Sequence, residues 1–155
     1  MNLKEELQNE KVSHMALNGF CRVASGATVR EALALMRQQG HNVCLTLADG
    51  ELKGIFTDRD VLRKVAAHPD SWDKAIDALM TPDPVTVGPD YPAAEALWLM
   101  DQHHFRNLPV VDEDGRVVGI LTHQAVINYL AAHHPVEILN LPPRPDQIPQ
   151  RPEGG

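Results

Sequence analysis

Residues 31–36 read EALALM and residues 95–100 read EALWLM; further along, LADGELKGIFT (47–57) recurs as DEDGRVVGILT (112–122). The displacement is 64 residues for the first pair and 65 for the second, so one residue is inserted between them. Upstream, Val23 falls over Val87 at the same 64-residue spacing. Self-similarity at a fixed period decides architecture before any single motif does. It predicts two copies of one unit, 18–80 and 81–134, between an N-terminal helical segment (1–17) and a Pro-rich, extended tail (135–155).

Each copy carries the same local grammar. Thr28 followed by Glu31 is a capping-box signature, and Val29, Ala32, Leu33 and Met36 form a stripe at helical spacing that ends near Gly40. NVCLTL (42–47) and ELKGIF (51–56) then read as two short strands joined by a tight turn at Asp49-Gly50. Thr57 closes the second strand and opens another helix, with His68-Pro69 as its stop. The second copy repeats the order, with Pro92 near a helix start, LPVVD (108–112), a turn at Asp114-Gly115, RVVGIL (116–121) and a helix from Thr122 to His134. Adding the strands expected in GFCRV (19–23) and PVTV (84–87) gives a β-α-β-β-α unit. A unit of about 60 residues removes too little surface from water to be stable alone. The expected fold class is therefore α+β, sandwich-like, with two such repeats packed sheet to sheet about a pseudo-twofold axis.

Composition narrows the function. The chain has 155 residues, 43% hydrophobic and 23% charged, which suits one globular body. No apolar stretch approaches the roughly 18 residues that a spanning helix needs, and MNLKEELQNEK at the N-terminus has no apolar signal core. A soluble, cytoplasmic protein without membrane partners is expected. The net charge of −7 and the lack of a Lys/Arg run argue against nucleic acid. Cys21 (in GFCRV) and Cys44 (in NVCLTL) sit among apolar residues and read as buried thiols.

The segment richest in chemistry is GIFTDRD (54–60). Gly54 allows close backbone approach, Thr57 turns the chain into a helix, and amides at a helix start carry partial positive charge. An Asp60 carboxylate one turn in can accept two hydrogen bonds from a vicinal diol such as ribose, and a Thr57 hydroxyl can donate to a phosphate oxygen. Together they suit a nucleotide. Thr-x-x-Asp is also the spacing of a capping box, the reading that spacing alone favours, and the weight shifts only with the repeat and what it resembles.

The two-copy layout, with GIFTDRD (54–60) closing one copy and RNLPVVDEDGRVVGILT (106–122) running through the other, resembles the cystathionine-β-synthase (CBS) domain family, and more narrowly a tandem CBS pair, the Bateman module. The joint ALMTPDPVTVGPD (78–90) is similar too, and the resemblance covers about 18–134. It implies clefts that bind adenosine-containing ligands: AMP, ADP, ATP, S-adenosylmethionine or a dinucleotide. The family pattern Gly-h-x-Thr-x-x-Asp falls on Gly54, Thr57 and Asp60, with Asp60 as ribose ligand and Thr57 beside the phosphates. The resemblance also implies pocket walls from Phe20, Cys21 and Val23 and from the Val43-Cys44 strand. It makes Arg106, with His104, a candidate for reaching across to the other copy's phosphates, and Arg59 a local one unless it is simply solvated.

The second copy departs from this pattern. Its matching stretch holds Thr122 and His123, and Ala125 stands where the ribose carboxylate would be. Losing such a charge-assisted contact costs on the order of 1.5–3 kcal/mol, or about tenfold to a hundredfold in affinity. One good site and one degenerate site are expected, with His123 a partial substitute for a ligand richer in phosphate. Charge agrees: residues 18–80 hold eight basic and eight acidic side chains, residues 81–134 two and seven.

Eight histidines, with pairs at 103–104 and 133–134, invite a metal reading. Adjacent helical residues point about 100° apart, and no Cys-x-x-Cys or His-x-x-x-His accompanies them, so no metal site is expected; His133 and His134 are better placed to meet carbonyls at a helix C-terminus. Trp98 and Tyr129 stand where the first copy has Ala34 and Lys64, which points to a self-association face or to packing under a terminal segment. No nucleophile with an oriented base, paired carboxylates or metal set is recognisable. The expected function is a non-catalytic, homodimeric regulatory module that takes an adenine nucleotide as regulatory ligand, has no prosthetic group and acts on an unknown regulated protein. The rival is a dimerisation or docking scaffold with no ligand.

Overall fold

The computed structural model describes residues 3–133, so the Pro-rich tail and His134 lie outside the described residues. An N-terminal helix α1 (Leu3–Asn9) and a 3-10 turn (Val12–His14) lead into β1 (Cys21–Ala24). The capping box at Thr28 forms reciprocally: Thr28 N donates to Glu31 Oε2 at 2.9 Å and Glu31 N to Thr28 Oγ1 at 3.1 Å. It starts α2 (Val29–Gln39), which buries Val29, Ala32 and Met36 and stops at Gly40 in the left-handed region, φ 70°. Strands β2 (Val43–Ala48) and β3 (Glu51–Thr57) follow, joined at Asp49 (φ 53°) and Gly50 (φ 82°), the positive-φ pair of the expected tight turn.

Beyond β3, Asp58–Asp60 begin helix α3, which runs on as a π-helical turn over Val61–Val65. Two 3-10 turns (Pro69–Asp73 and Ile76–Ala78) lead to the short β4 (Thr81–Pro82). The second repeat contains α4 (Ala93–His103), β5 (Asn107–Val111), β6 (Val117–Thr122) and α5 (His123–His133).

One sheet has the order β1-β2-β3-β4, with β1 parallel to β2 and the rest antiparallel. The other pairs β5 with β6. Both hairpins slip register at matching points, Thr46/Leu47 and Val110/Val111, 64 residues apart. The strand expected in PVTV (84–87) is reduced to a parallel bridge between Val87 and Val110. Proline explains the loss: Pro109 in β5 has no N–H to donate, Pro84 opens the segment and Pro89 follows it. The second hairpin also turns differently, because Asp112 Oδ1 accepts from Asp114 N (2.9 Å) and Arg116 N (3.0 Å) and holds a wider loop.

Alternation along the strands divides the core into three layers. Cys44 and Phe56 point to α2 and join Cys21, Val23, Val65 and Ile76. Leu108, Val110 and Leu121 point to α4 and α5. Between the sheets lie Val43, Leu45 and Ile120, with Phe20, Leu52, Ile55 and Val117 around them. The sheets thus pack face to face, and a Glu51–Arg116 bridge links the hairpins.

Each repeat is completed by chain from outside its β-α-β-β-α unit. Val12 and Met15 sink into the second repeat's core, and Ile120 N donates to Leu17 O at 2.9 Å; correspondingly, β4 pairs with β3 at Gly54. This explains the two buried glycines of the repeated motif. A Cβ on Gly119 would overlap the Leu17 side chain and carbonyl, whereas the nearest atoms to one on Gly54 belong to the Met80 side chain. Gly54 therefore makes room for Met80.

The two aromatics singled out by the repeat separate. Trp98 is 59% exposed on α4, but Tyr129 is buried, so it presents no exposed face. Tyr129 donates its hydroxyl to Glu10 Oε2 and stacks on His133 at 4.3 Å, and Glu10 Oε1 pairs with His14 Nδ1 at 2.5 Å. His133 thus meets a ring rather than carrying out the expected carbonyl contact. Hydrogen bonds from Tyr129 and then His14 hold the Glu10 carboxyl below the ordinary carboxylate range, and burial followed by Glu10 pushes Tyr129 up to about 12.

Two outcomes follow for stability, both read by urea unfolding. Gly119→Ala should cost about 3 kcal/mol and Gly54→Ala about 1 kcal/mol, the two ends of the overpacking range, because a backbone cannot step aside as a thioether can. A carboxyl depressed in the folded state stabilises above its unfolded pKa and loses that contribution as pH falls through its folded value. Acid should therefore loosen the N-terminal segment below the ordinary Glu range; Tyr129→Phe should cost about 1 kcal/mol at pH 7 and flatten that acid limb.

Candidate functional site

The turn from β3 into α3 sets the site. Thr57 is extended (φ −123°, ψ 171°), and three residues later Asp60 folds back so that its Oδ2 accepts from Thr57 N at 2.9 Å, with Thr57 Oγ1 at 3.5 Å. Lys64, one turn on, places Nζ 3.2 Å from Asp60 Oδ1 and also donates to Leu79 O at 2.9 Å. The capping role is therefore real. Yet a carboxylate offers about four lone-pair sites, and Asp60, 8% exposed, still lines an open cleft.

That cleft, about 270 Å³, lies between the repeats. Thr57, Asp58, Arg59 and Asp60 come from the first repeat, His104, Phe105, Arg106 and Asn107 from the second, and Thr81 and Asp83–Val85 from the joining segment. The structure thus brings together Thr57, Arg59, Asp60, His104 and Arg106, residues 57 and 106 being 49 apart in the chain. His104 reaches the rim because it caps α4 in the left-handed region at φ 57°, the position Gly40 holds in the first repeat. Among the described residues, no carboxylate forms an ion pair with Arg59 or Arg106. Both guanidiniums are exposed, as a phosphate ligand requires.

The walls differ from those the resemblance implied. Cys21, Val23 and Cys44 belong to the core behind the sheet, and Val43 and Phe20 to the layer between sheets. Phe20 meets Arg22, whose guanidinium carbon is 4.9 Å from the ring centroid, away from this cleft. Gly54 is buried beneath Met80. The apolar lining is instead Ile55, Pro84, Val85, Phe105 and Pro109. Strand alternation explains the difference: a residue facing the helices cannot also face the seam. Lys64 does not line the cleft but holds Asp60 from behind, and Asp60 and Lys64 at i, i+4 are a helical ion pair that the sequence offers. The thiols are free and buried; burial, followed by Cys21, pushes Cys44 up to about 12, which leaves it protonated and unreactive at neutral pH.

A second cleft, about 720 Å³, stands opposite in pseudo-symmetry, with Thr122, His123, Gln124 and Ala125 facing Gly40, His41, Asn42 and Val43. Here Ala125 N donates to Thr122 Oγ1 at 3.0 Å, so the helix start persists without the carboxylate.

Residues 21–67 and 75–132 match the CBS domain family. The chain belongs to the CBS domain family. Among its relatives, the CBS domain-containing protein YhcV of Bacillus subtilis is 32% identical over 99 residues, 64% of this chain and 70% of YhcV. Arabinose 5-phosphate isomerase KdsD of Pseudomonas aeruginosa is 37% identical over 116 residues, 74% of this chain but 35% of KdsD, so the CBS pair matches only part of the larger enzyme. Among solved structures, the CBS domain pair of protein MJ0100 in complex with 5′-methylthioadenosine and S-adenosyl-L-methionine has a TM-score of 0.70 at 25% identity, covering 79% of this chain and 97% of that one. CBSX2 in complex with AMP gives the same TM-score, 0.70, at 25% identity over 79% and 97%. The cytosolic domain of the Mg2+ channel MgtE in complex with ATP is 32% identical with a TM-score of 0.63, over 75% of this chain and 46% of that one. No helix among the described residues of this CBS pair is long and apolar enough to cross a membrane.

Asp60→Ala removes the acceptor of Thr57 N and should lower stability by about 1 kcal/mol. Asp60→Asn, which keeps an acceptor oxygen, should lose less. Thermal or urea unfolding at pH 7 compares them.

Proposed function

We propose that the 270 Å³ cleft binds an adenosine-containing nucleotide and that the chain is a non-catalytic regulatory module. The supporting observation is that a nearly buried carboxylate, Asp60, and the guanidinium of Arg106 from the other repeat, which pairs with no carboxylate among the described residues, line one open, apolar-walled gap. Asp60 supplies its remaining lone pairs to the ribose hydroxyls. Arg106, with Arg59 and His104, meets the phosphates, Thr57 lies beside them, and Phe105, Pro84 and Val85 flank the base. The MJ0100 CBS domain pair with S-adenosyl-L-methionine and 5′-methylthioadenosine, CBSX2 with AMP and the MgtE cytosolic domain with ATP support that ligand class. Regulation follows from differential affinity: a ligand tied to both repeats favours the arrangement that best fits it, and a partner protein responds to that arrangement. The module acts in the cytoplasm as a homodimer through its helices, with Trp98 on the contact face.

One observation favours a second reading, a ligand-free scaffold: Asp60 already serves Thr57 N and Lys64. Calorimetric titration with AMP, ATP and S-adenosylmethionine separates the two. For the sensor, at least one of the three binds, Asp60→Asn weakens it tenfold to a hundredfold, about 1.5–3 kcal/mol, and Arg106→Ala weakens the phosphorylated ligands most. Absence of heat from all three supports the scaffold.

A further inference from the structure

Arg106, Asn107 and Asp58 line both clefts, so the two pockets share a wall. The cations around that wall are unevenly distributed. At a displacement of 64 the counterpart of Arg106 is Asn42, and at 65 the counterpart of Arg59 is Gln124. The second cleft therefore has, among its described lining residues, one arginine and no lysine, and that arginine is Arg106. The first cleft holds Arg59 as well.

We propose that the clefts compete for this single guanidinium, so that a phosphate-bearing ligand in one weakens anion binding in the other. The proposal rests on the nucleotide reading of the first cleft. A guanidinium grips one phosphate with a planar, bidentate fork and cannot aim that fork into two pockets at once. The second phosphate also meets the charge of the first across a shared wall. Linkage makes the penalty reciprocal, the same factor whichever cleft fills first. The expected coupling is about tenfold or more, the loss of one charge-assisted contact. The module would then respond to which pocket is occupied rather than fill both.

The test uses AMP as probe and restores the missing carboxylate. Ala125 is 6% exposed and Asp60 8%, and each stands three residues after a threonine at a helix start, so Ala125→Asp places a carboxylate at the matching position, although Tyr129 stands where Asp60 has Lys64. Calorimetry on A125D should show two AMP molecules per chain, the second at least tenfold weaker than statistics allow. In A125D/N42R, where each cleft has its own arginine, the two should become independent. In A125D/R106A both should be weak and uncoupled. Two independent, equal sites in A125D overturn the proposal. Absence of binding by AMP, ATP and S-adenosylmethionine alike, in the wild type and every variant, overturns the nucleotide reading and this proposal with it. ATP binding without AMP binding leaves that reading standing and moves the same titrations to ATP. A measurement on the unsubstituted chain covers misfolding of A125D: at constant ionic strength, inorganic pyrophosphate should shift the Gln124 and Ala125 amide resonances, and saturating AMP should weaken that titration tenfold. An unchanged pyrophosphate midpoint in AMP-loaded protein overturns the sharing.

Discussion

Val43, Leu45 and Ile120 are each at most 2% exposed and form the layer between the two sheets. Their contact is the constraint on which the clefts depend. Neither hairpin could keep one face dry alone, and burying these side chains against each other fixes where Thr57 and Asn107, at the ends of β3 and β5, meet across the seam. The terminal additions serve the same end. The segment through Val12 and Met15 completes one core, and that through Ile76 and Met80 the other, so the repeats close only when the chain beside each motif is threaded onto the neighbouring sheet.

Within this near-symmetric frame, the chemistry is asymmetric. Asp58, Arg59 and Asp60 in one repeat correspond to His123, Gln124 and Ala125 in the other, and Arg106 corresponds to Asn42. The fold makes two recesses of the same kind, but the charged groups suited to phosphate and ribose concentrate in one. Asp60 has two tasks there, holding the helix start through Thr57 N and presenting its remaining lone pairs to the cleft. A capping carboxylate is well suited to this, because the backbone bond that stabilises the turn also fixes the rotamer the cleft sees.

Much of the fold was legible in the chain. The EALALM and EALWLM copies, the Thr28–Glu31 box and Asp49-Gly50 are local signals, and each appears where its own chemistry places it. The strand expected before α4 failed because Pro109 sits in its would-be partner, a fact about pairing that a one-dimensional pattern does not weigh. For Tyr129 the repeat left two readings open, a self-association face or packing under a terminal segment, and its contact with Glu10, 119 residues away, is the second. The pocket walls were misplaced. Cys21, Val23 and Cys44 lie near the motif in the sheet but face away from the seam, while Pro84, Val85 and Phe105 arrive from distant chain.

The sequence by itself determined the duplication, the α-β-β-α order common to both copies, the identity of the repeat that retains the carboxylate and the family, because periodicity, capping and turn preferences act within a few residues and repeat visibly. Tertiary structure alone decided which apolar residues wall the cleft that Thr57, Asp60, His104 and Arg106 share, that Gly54 yields to Met80, and that Arg106 borders two pockets. Those are matters of which side of a sheet a residue faces and which distant segment lies against it, and both are settled only when the apolar layer between the sheets closes.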